Sequence, residues 1–169
     1  MPRPPRQGCC TISGQAKTNV WLMSDSTDFV SAQPSAQRII RLFLCGDVMT
    51  GRGIDQVLSH PCDPLLHEGY AHSAMDYVRL AEEANGKIPR HVGPSYIWGA
   101  ALDELNRMRP DARIINLETC ITRSEDYLPK GINYRMSPEN AECLTVAAID
   151  CCVLANNHVF DWGHDGLLD

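Results

Sequence analysis

The chain has 169 residues, 44% hydrophobic and 21% charged, with a formal charge of −6. That length suits one domain with a real core, and that balance excludes wholesale disorder. The negative charge argues against a nucleic-acid binder, which carries a basic patch, but leaves small anionic ligands open because a bound metal reverses the local field.

Residues 1–37 are rich in Pro, Ser, Gln and Thr without sustained periodicity, and read as a disordered N-terminal extension or an early start codon. The apolar cluster there, Val20-Trp21-Leu22-Met23, is shorter than a membrane span of about 20 residues or a signal-peptide core of about 7. No membrane anchor is visible. Eight cysteines occur without a C-x-x-C pair or a finger-like Cys/His array. They read as reduced structural thiols, which favours a reducing, cytoplasmic location.

Residues 38–169 carry the domain. An apolar run predicts a first strand over 39–45, followed by the glycine-rich turn Gly46-Asp47-Val48-Met49-Thr50-Gly51-Arg52-Gly53 and a short helix over 54–59. His60-Pro61 breaks that helix, and His60, His67 and His72 read as surface residues of the next loop. A helix over 74–84 puts Tyr77, Val78, Ala81 and Ala84 on one face and stops at Asn85-Gly86. Trp98, Ala101, Leu102, Leu105 and Met108 fall at helical spacing, and Pro110 closes that segment. A second strand over 112–117 opens a long loop over 119–136. Ser137-Pro138, an N-cap before a proline, starts a helix running to about residue 148. The third strand covers 150–155, and 163–169 reads as the first turn of one more helix.

The order β-α-α-β-α-β predicts an α/β fold in which right-handed crossovers keep the strands parallel. Strands apolar on both faces belong inside a wider sheet, and a single turn does not hold itself as a helix. The sequence therefore reads as the front portion of a larger domain.

Parallel strands bring their carboxyl ends to one crevice. Here those ends carry Asp47, then Asn116 and Glu118, then Asn156, Asn157 and His158. Two carboxylates, an amide oxygen and an imidazole suit a hard or borderline divalent metal, so Asp47, Glu118 and Asn157 are the candidate ligands. His158 is the candidate acid for a leaving oxygen, or the holder of a phosphoryl oxygen, with Asp161 orienting it. Asn116, Asn156, Arg52, Lys130 and Arg135 are weaker candidates for contact with a substrate anion. Each residue also has an ordinary reading: a turn aspartate, a solvated loop acid, a packed histidine, surface charges. Gly46 and Gly51 have phosphate-loop spacing, but Arg52 and Gly53 stand where that motif needs lysine and a hydroxyl.

Taken together, Gly46-Asp47-Val48-Met49 with Gly51-Arg52-Gly53, Asn116-Leu117-Glu118-Thr119, and Ala155-Asn156-Asn157-His158 with Asp161, Gly163 and Gly166-Leu167 resemble the CapA family. This is the bacterial capsule synthesis or poly-γ-glutamate biosynthesis family, related to calcineurin-like metallophosphoesterases. The resemblance implies a metallophosphoesterase-like α/β/β/α sandwich, present here in part. It also implies divalent metal ions (Mn, Zn, Fe or Mg), dinuclear in the full-length form, with Asp47 and Glu118 as acids and Asn157-His158 as the Asn-His pair. An anionic small molecule or polymer would be the substrate, and polymer-synthesis machinery the partner. Some relatives are membrane-associated. Met49 stands where the phosphoesterase motif has histidine, and the later histidine motifs of such enzymes are not within this sequence. The chain alone is therefore expected to be inactive, and the alternative is a non-catalytic binding module accessory to polymer synthesis or export.

Overall fold

The structure is a computed structural model and describes residues 39–169; the expected extension over 1–37 lies outside the described residues. Its strands are β1 (Leu42–Val48), β2 (Ala112–Leu117), β3 (Cys120–Ile121), β4 (Arg135–Met136) and β5 (Cys151–Val153). Its helices are α1 (Gly53–Val57), α2 (Ala74–Asn85), α3 (Ala100–Met108), α4 (Glu142–Val146) and α5 (Gly163–Leu168). Single 3-10 turns cover Tyr96–Trp98 and Pro138–Ala141.

Strands β1, β2 and β5 form one parallel sheet with β2 in the middle. Side chains alternate along β2, burying Arg113, Ile115 and Leu117 and leaving Ala112, Ile114 and Asn116 half-buried. The register pairs Cys45 with Ile115 and then Asp47 with Asn116, so Gly46 is an extra residue, a β-bulge inside β1. The expected α/β class and parallel strands are thus present. The strand runs on to Val48, beyond the expected end at Cys45, because the glycine kinks the strand without ending it.

Buried Arg113 shows what covers one face of the sheet. Its guanidinium donates to the carbonyls of Ala147, at 2.5 Å, and Leu105, at 3.2 Å. These are carbonyls at the ends of α4 and α3, where a cation meets the negative end of the helix dipole. The opposite face is uncovered among the described residues, with Leu42 45%, Leu44 46% and Val153 40% exposed.

Several boundaries differ from expectation for local reasons. Gly99, at φ 50°, separates Trp98 from α3, so the apolar spacing spans a 3-10 turn and a helix. The segment after Ser137 likewise divides into a 3-10 turn and the short α4. Ser137 makes no capping bond to the backbone of that turn; its hydroxyl donates to Glu139 Oε2 at 2.5 Å. The long loop contains the parallel β3–β4 pair, joining Cys120 to Arg135 and Ile121 to Met136. Met136 is fully buried with Leu58 and Cys143, and Val92, Ile97, Ile121, Ala141 and Leu144 pack around them. Trp98 donates its indole N–H to the Cys143 carbonyl at 2.7 Å, tying the 3-10 turn to α4.

Asp55 of α1 is fully buried and accepts from the Cys62 and Ser137 amides and the Asn140 side chain, at 2.7, 3.0 and 2.8 Å. One carboxylate thereby ties α1 to the loop after it and to the end of β4. Among the described residues no helix is long and apolar enough to cross a membrane.

Candidate functional site

The carboxyl ends of β1, β2 and β5 do converge. Beyond Val48 the backbones stay together, with the Glu118 amide donating to the Val48 carbonyl at 3.1 Å. The Thr50 amide donates to Thr119 Oγ1 at 2.9 Å, which pins the glycine-rich turn to the end of β2. Across the sheet, Asn116 donates to Asp47 Oδ1 at 2.6 Å. Asn156, just past β5, donates to Asn116 Oδ1 and to the Leu117 carbonyl, both at 3.0 Å. Its own amide oxygen accepts the His158 backbone N–H at 2.9 Å, a local turn typical of asparagine. An unbroken series of hydrogen bonds therefore runs from the acid on β1 to the histidine after β5.

His158 and Asp161 are both buried and form the polar centre. His158 Nδ1 lies 2.7 Å from Asp161 Oδ2, which also accepts the Tyr134 amide at 2.5 Å. Lys130 Nζ is 2.5 Å from Asp161 Oδ1 and donates to the Asn157 carbonyl at 2.6 Å. The phenol ring of Tyr134 stacks on the imidazole with centroids 4.0 Å apart. Tyr134 also meets the Arg52 guanidinium, 4.8 Å from its ring, and Arg52 lies 4.7 Å from the Tyr77 ring as well. Such cation–π contacts stabilise a half-buried arginine. Arg52 is also paired with buried Glu68 at 2.7 Å, and Tyr77 donates to the other oxygen of that acid at 2.5 Å. Burial, followed by the Glu68 hydrogen bond, pushes the Tyr77 phenol pKa up; burial does the same for Tyr134.

Glu118 Oε1 stands 3.5 Å from His158 Nε2. A carboxylate only accepts, so the imidazole nitrogen that faces it either donates a proton or shares a cation with it. Among the described residues, no three His, Cys, Asp or Glu side chains stand close enough together to hold a metal ion. Exposed Asn157 has no side-chain partner among the described residues, so its amide is open to a ligand.

Of the weaker candidates, Asn116, Asn156 and Lys130 are built into the site by the contacts above. Arg52 joins it through Tyr134. Arg135 points elsewhere, lying 4.0 Å over the Trp162 ring and donating to the Ser124 carbonyl at 2.8 Å. Tyr134 and Glu68 were not anticipated. Neither has a motif or spacing that marks it, since each meets the site across a long loop. His60 and His72 are exposed as expected, but His67 stacks on Tyr127 with centroids 3.5 Å apart.

Residues 41–169 match the family described as bacterial capsule synthesis protein PGA_cap. The chain belongs to this family. Two curated relatives, each named a probable polyglutamine synthesis accessory protein, come from the CDC 1551 / Oshkosh and H37Rv strains of Mycobacterium tuberculosis. Both are 46% identical over 132 residues, which is 78% of this chain and 35% of each relative. The chain thus spans about a third of the length of the curated relatives it matches. No solved structure matches. The family assignment agrees with the resemblance carried by the three strand-end motifs.

Proposed function

We propose that this capsule-family chain carries the strand-end part of a metal-dependent site of an accessory protein in polyglutamate-type polymer synthesis. The site would cleave or transfer at a phosphate or γ-glutamyl centre of an anionic substrate. The reading is supported above all by the hydrogen-bonded series from Asp47 through Asn116 and Asn156 to His158 and Asp161 at three parallel strand ends. Asp47, Glu118 and Asn157 would hold the ion, which when bound polarises a substrate oxygen and acidifies a bound water. Asp161 holds the imidazole by Nδ1, leaving Nε2 to exchange a proton with the reacting group. Asn116 keeps one Asp47 oxygen occupied and leaves the other for a ligand. The relatives' printed names support an accessory role beside polymer-synthesis machinery.

A second reading, a binding module without catalysis, is favoured by Met49 in the place of a ligating histidine and by the missing three-donor cluster among the described residues. Manganese-dependent hydrolysis of p-nitrophenyl phosphate and of γ-glutamyl peptides separates the two. The assay uses this chain and a full-length mycobacterial relative. Turnover by the relative that disappears when the equivalents of Asp47 and His158 become alanine supports the enzyme. Folded protein that binds neither manganese nor turns over either substrate supports the binding module.

A further inference from the structure

A cavity of about 660 Å³ lies between α1, α2 and the 3-10 turn over Tyr96–Trp98. That volume falls in the range of about 300–1,000 Å³ that holds small-molecule ligands. Its walls include Val57, Val78 and Ile97 and three aromatic residues, Tyr77, Tyr96 and Trp98. The polar atoms of two of those rings are already committed elsewhere. Trp98 donates its indole N–H to the Cys143 carbonyl at 2.7 Å, and Tyr77 donates its hydroxyl proton to Glu68 at 2.5 Å. These two residues therefore offer a ligand ring surface and no free donor.

Among the described residues, Arg52 is the single charged member of the lining. Glu68, 2.7 Å from its Nη2, balances that charge, and the guanidinium lies against the Tyr77 and Tyr134 rings. Although the ion pair is close, neither Nε nor Nη2 is aligned with a hydrogen-bond acceptor among the described residues. The Arg52 backbone is also held at φ 49°, in the left-handed region that favours glycine. Side chains persist at such positions where their surroundings hold them, and these positions concentrate at ligand clamps. A cavity whose charge is already balanced resists an ionised group, because burying an unpaired charge is costly. It suits an uncharged body with one acceptor turned to the guanidinium. Aliphatic walls outnumber aromatic ones, and flexible Met49 is among them, which fits a chain better than a flat ring.

We propose that this cavity binds the acyl chain of an uncharged ester or amide, with the hydrocarbon against Val57, Val78 and Ile97 and the carbonyl toward Arg52. Arg52 also touches the Tyr134 ring that stacks on His158, so the chain is seated beside the strand-end site. The cavity is a second binding site, separate from the anionic group read at the strand ends. It stands whether or not those strand ends hold a metal or turn anything over.

The test titrates the full chain with methyl octanoate and follows the methyl resonances of Val57, Val78 and Ile97. Saturable shifts of these methyls are expected, with Overhauser contacts from the ligand methylenes to Val78 and Ile97. Sodium octanoate, the same chain with a charged head, is expected to bind about tenfold or more weakly. Ala81→Phe, which places a ring in the cavity from α2, is expected to abolish the shifts and leave the rest of the spectrum in place. No saturable shift in the wild-type chain, or ligand contacts to other methyls only, overturns the proposal. Octanoate or methyl benzoate binding as tightly as methyl octanoate overturns the assigned ligand class. Should Ala81→Phe fail to fold, the Overhauser contacts in the wild-type chain locate the ligand without it.

Discussion

Asp161 Oδ2 and His158 Nδ1 are 2.7 Å apart, and this pair is the point at which the long loop, the turn after β5 and the last helix are joined. The Asp161 backbone carbonyl also accepts from the Leu128 amide at 2.8 Å and from Asn133 Nδ2 at 2.9 Å. Residue 161 is thus a structural hub as well as a partner of the imidazole. Asp161→Ala would leave Lys130 and His158 facing an empty buried position. The expected loss is about 3–5 kcal/mol of stability, as for a buried ion pair deprived of one member. Urea unfolding monitored by tryptophan fluorescence measures it, and a loss below about 1 kcal/mol contradicts the buried pair.

Asn156 and Asn157 are neighbours with opposite expected behaviour. Asn156 bonds to Asn116, the Leu117 carbonyl and the His158 amide, so Asn156→Ala should cost about 1–3 kcal/mol. The exposed Asn157 side chain has no partner among the described residues, and Asn157→Ala should change stability by less than about 0.5 kcal/mol. If Asn157 is a ligand, the same variant weakens manganese binding in calorimetry while its melting curve stays in place. Equal effects of the two substitutions on stability would contradict this division.

Gly46 of the β1 bulge and Gly51 of the following turn should also differ. A Cβ on Gly51 would stand 2.9 Å from the Arg135 carbonyl oxygen and 3.1 Å from its amide nitrogen, both backbone atoms. Gly51→Ala must therefore push β4 away from the turn, at a cost of about 1–3 kcal/mol. Nothing lies within 4 Å of a Cβ on Gly46, and Gly46→Ala should be nearly neutral. Thermal melts of both variants check the contrast.

Alkaline pH should weaken the fold. Burial raises the Cys143 thiol from its ordinary 9.0 to about 11, and burial together with Asp55 raises Cys62 to about 12. Below pH 9 both thiols are protonated whether the chain is folded or not. Above it the unfolded chain releases protons that the folded chain retains, so stability falls as pH rises toward the folded values. The slope is about 1.4 kcal/mol per pH unit for each thiol. Urea melts at pH 8 and pH 10 should show the loss, and Cys143→Ala should reduce it. A pH-independent midpoint in the wild-type chain would argue against buried thiols.

The strand-end residues were legible because apolar runs that stop at Asp47, Asn116 and Asn156 leave few other places for those side chains to go. The parallel order followed from the alternation of strands and helices. What stayed hidden depends on contacts between distant parts of the chain. Two-residue strands such as β3 and β4 carry no periodicity, so their pairing has no local signal. Gly99 was invisible as a helix break because its φ of 50° is a property of the folded backbone. Lys130 looked like a surface charge, since no spacing announces that a loop will fold its ammonium onto Asp161. Tyr134 was silent for the same reason.

The bulge at Gly46 decides the parity of the first strand. Were the strand regular there, with Gly46 itself opposite Asn116, Asp47 would fall opposite Leu117, whose side chain is buried on the helix-covered face, and the acid would point away from Asn116. The strand would still hydrogen-bond to its neighbour and the helices would still have a sheet to rest on. One glycine thus separates a chain that merely folds from one whose first carboxylate arrives on the same side as its amide partner.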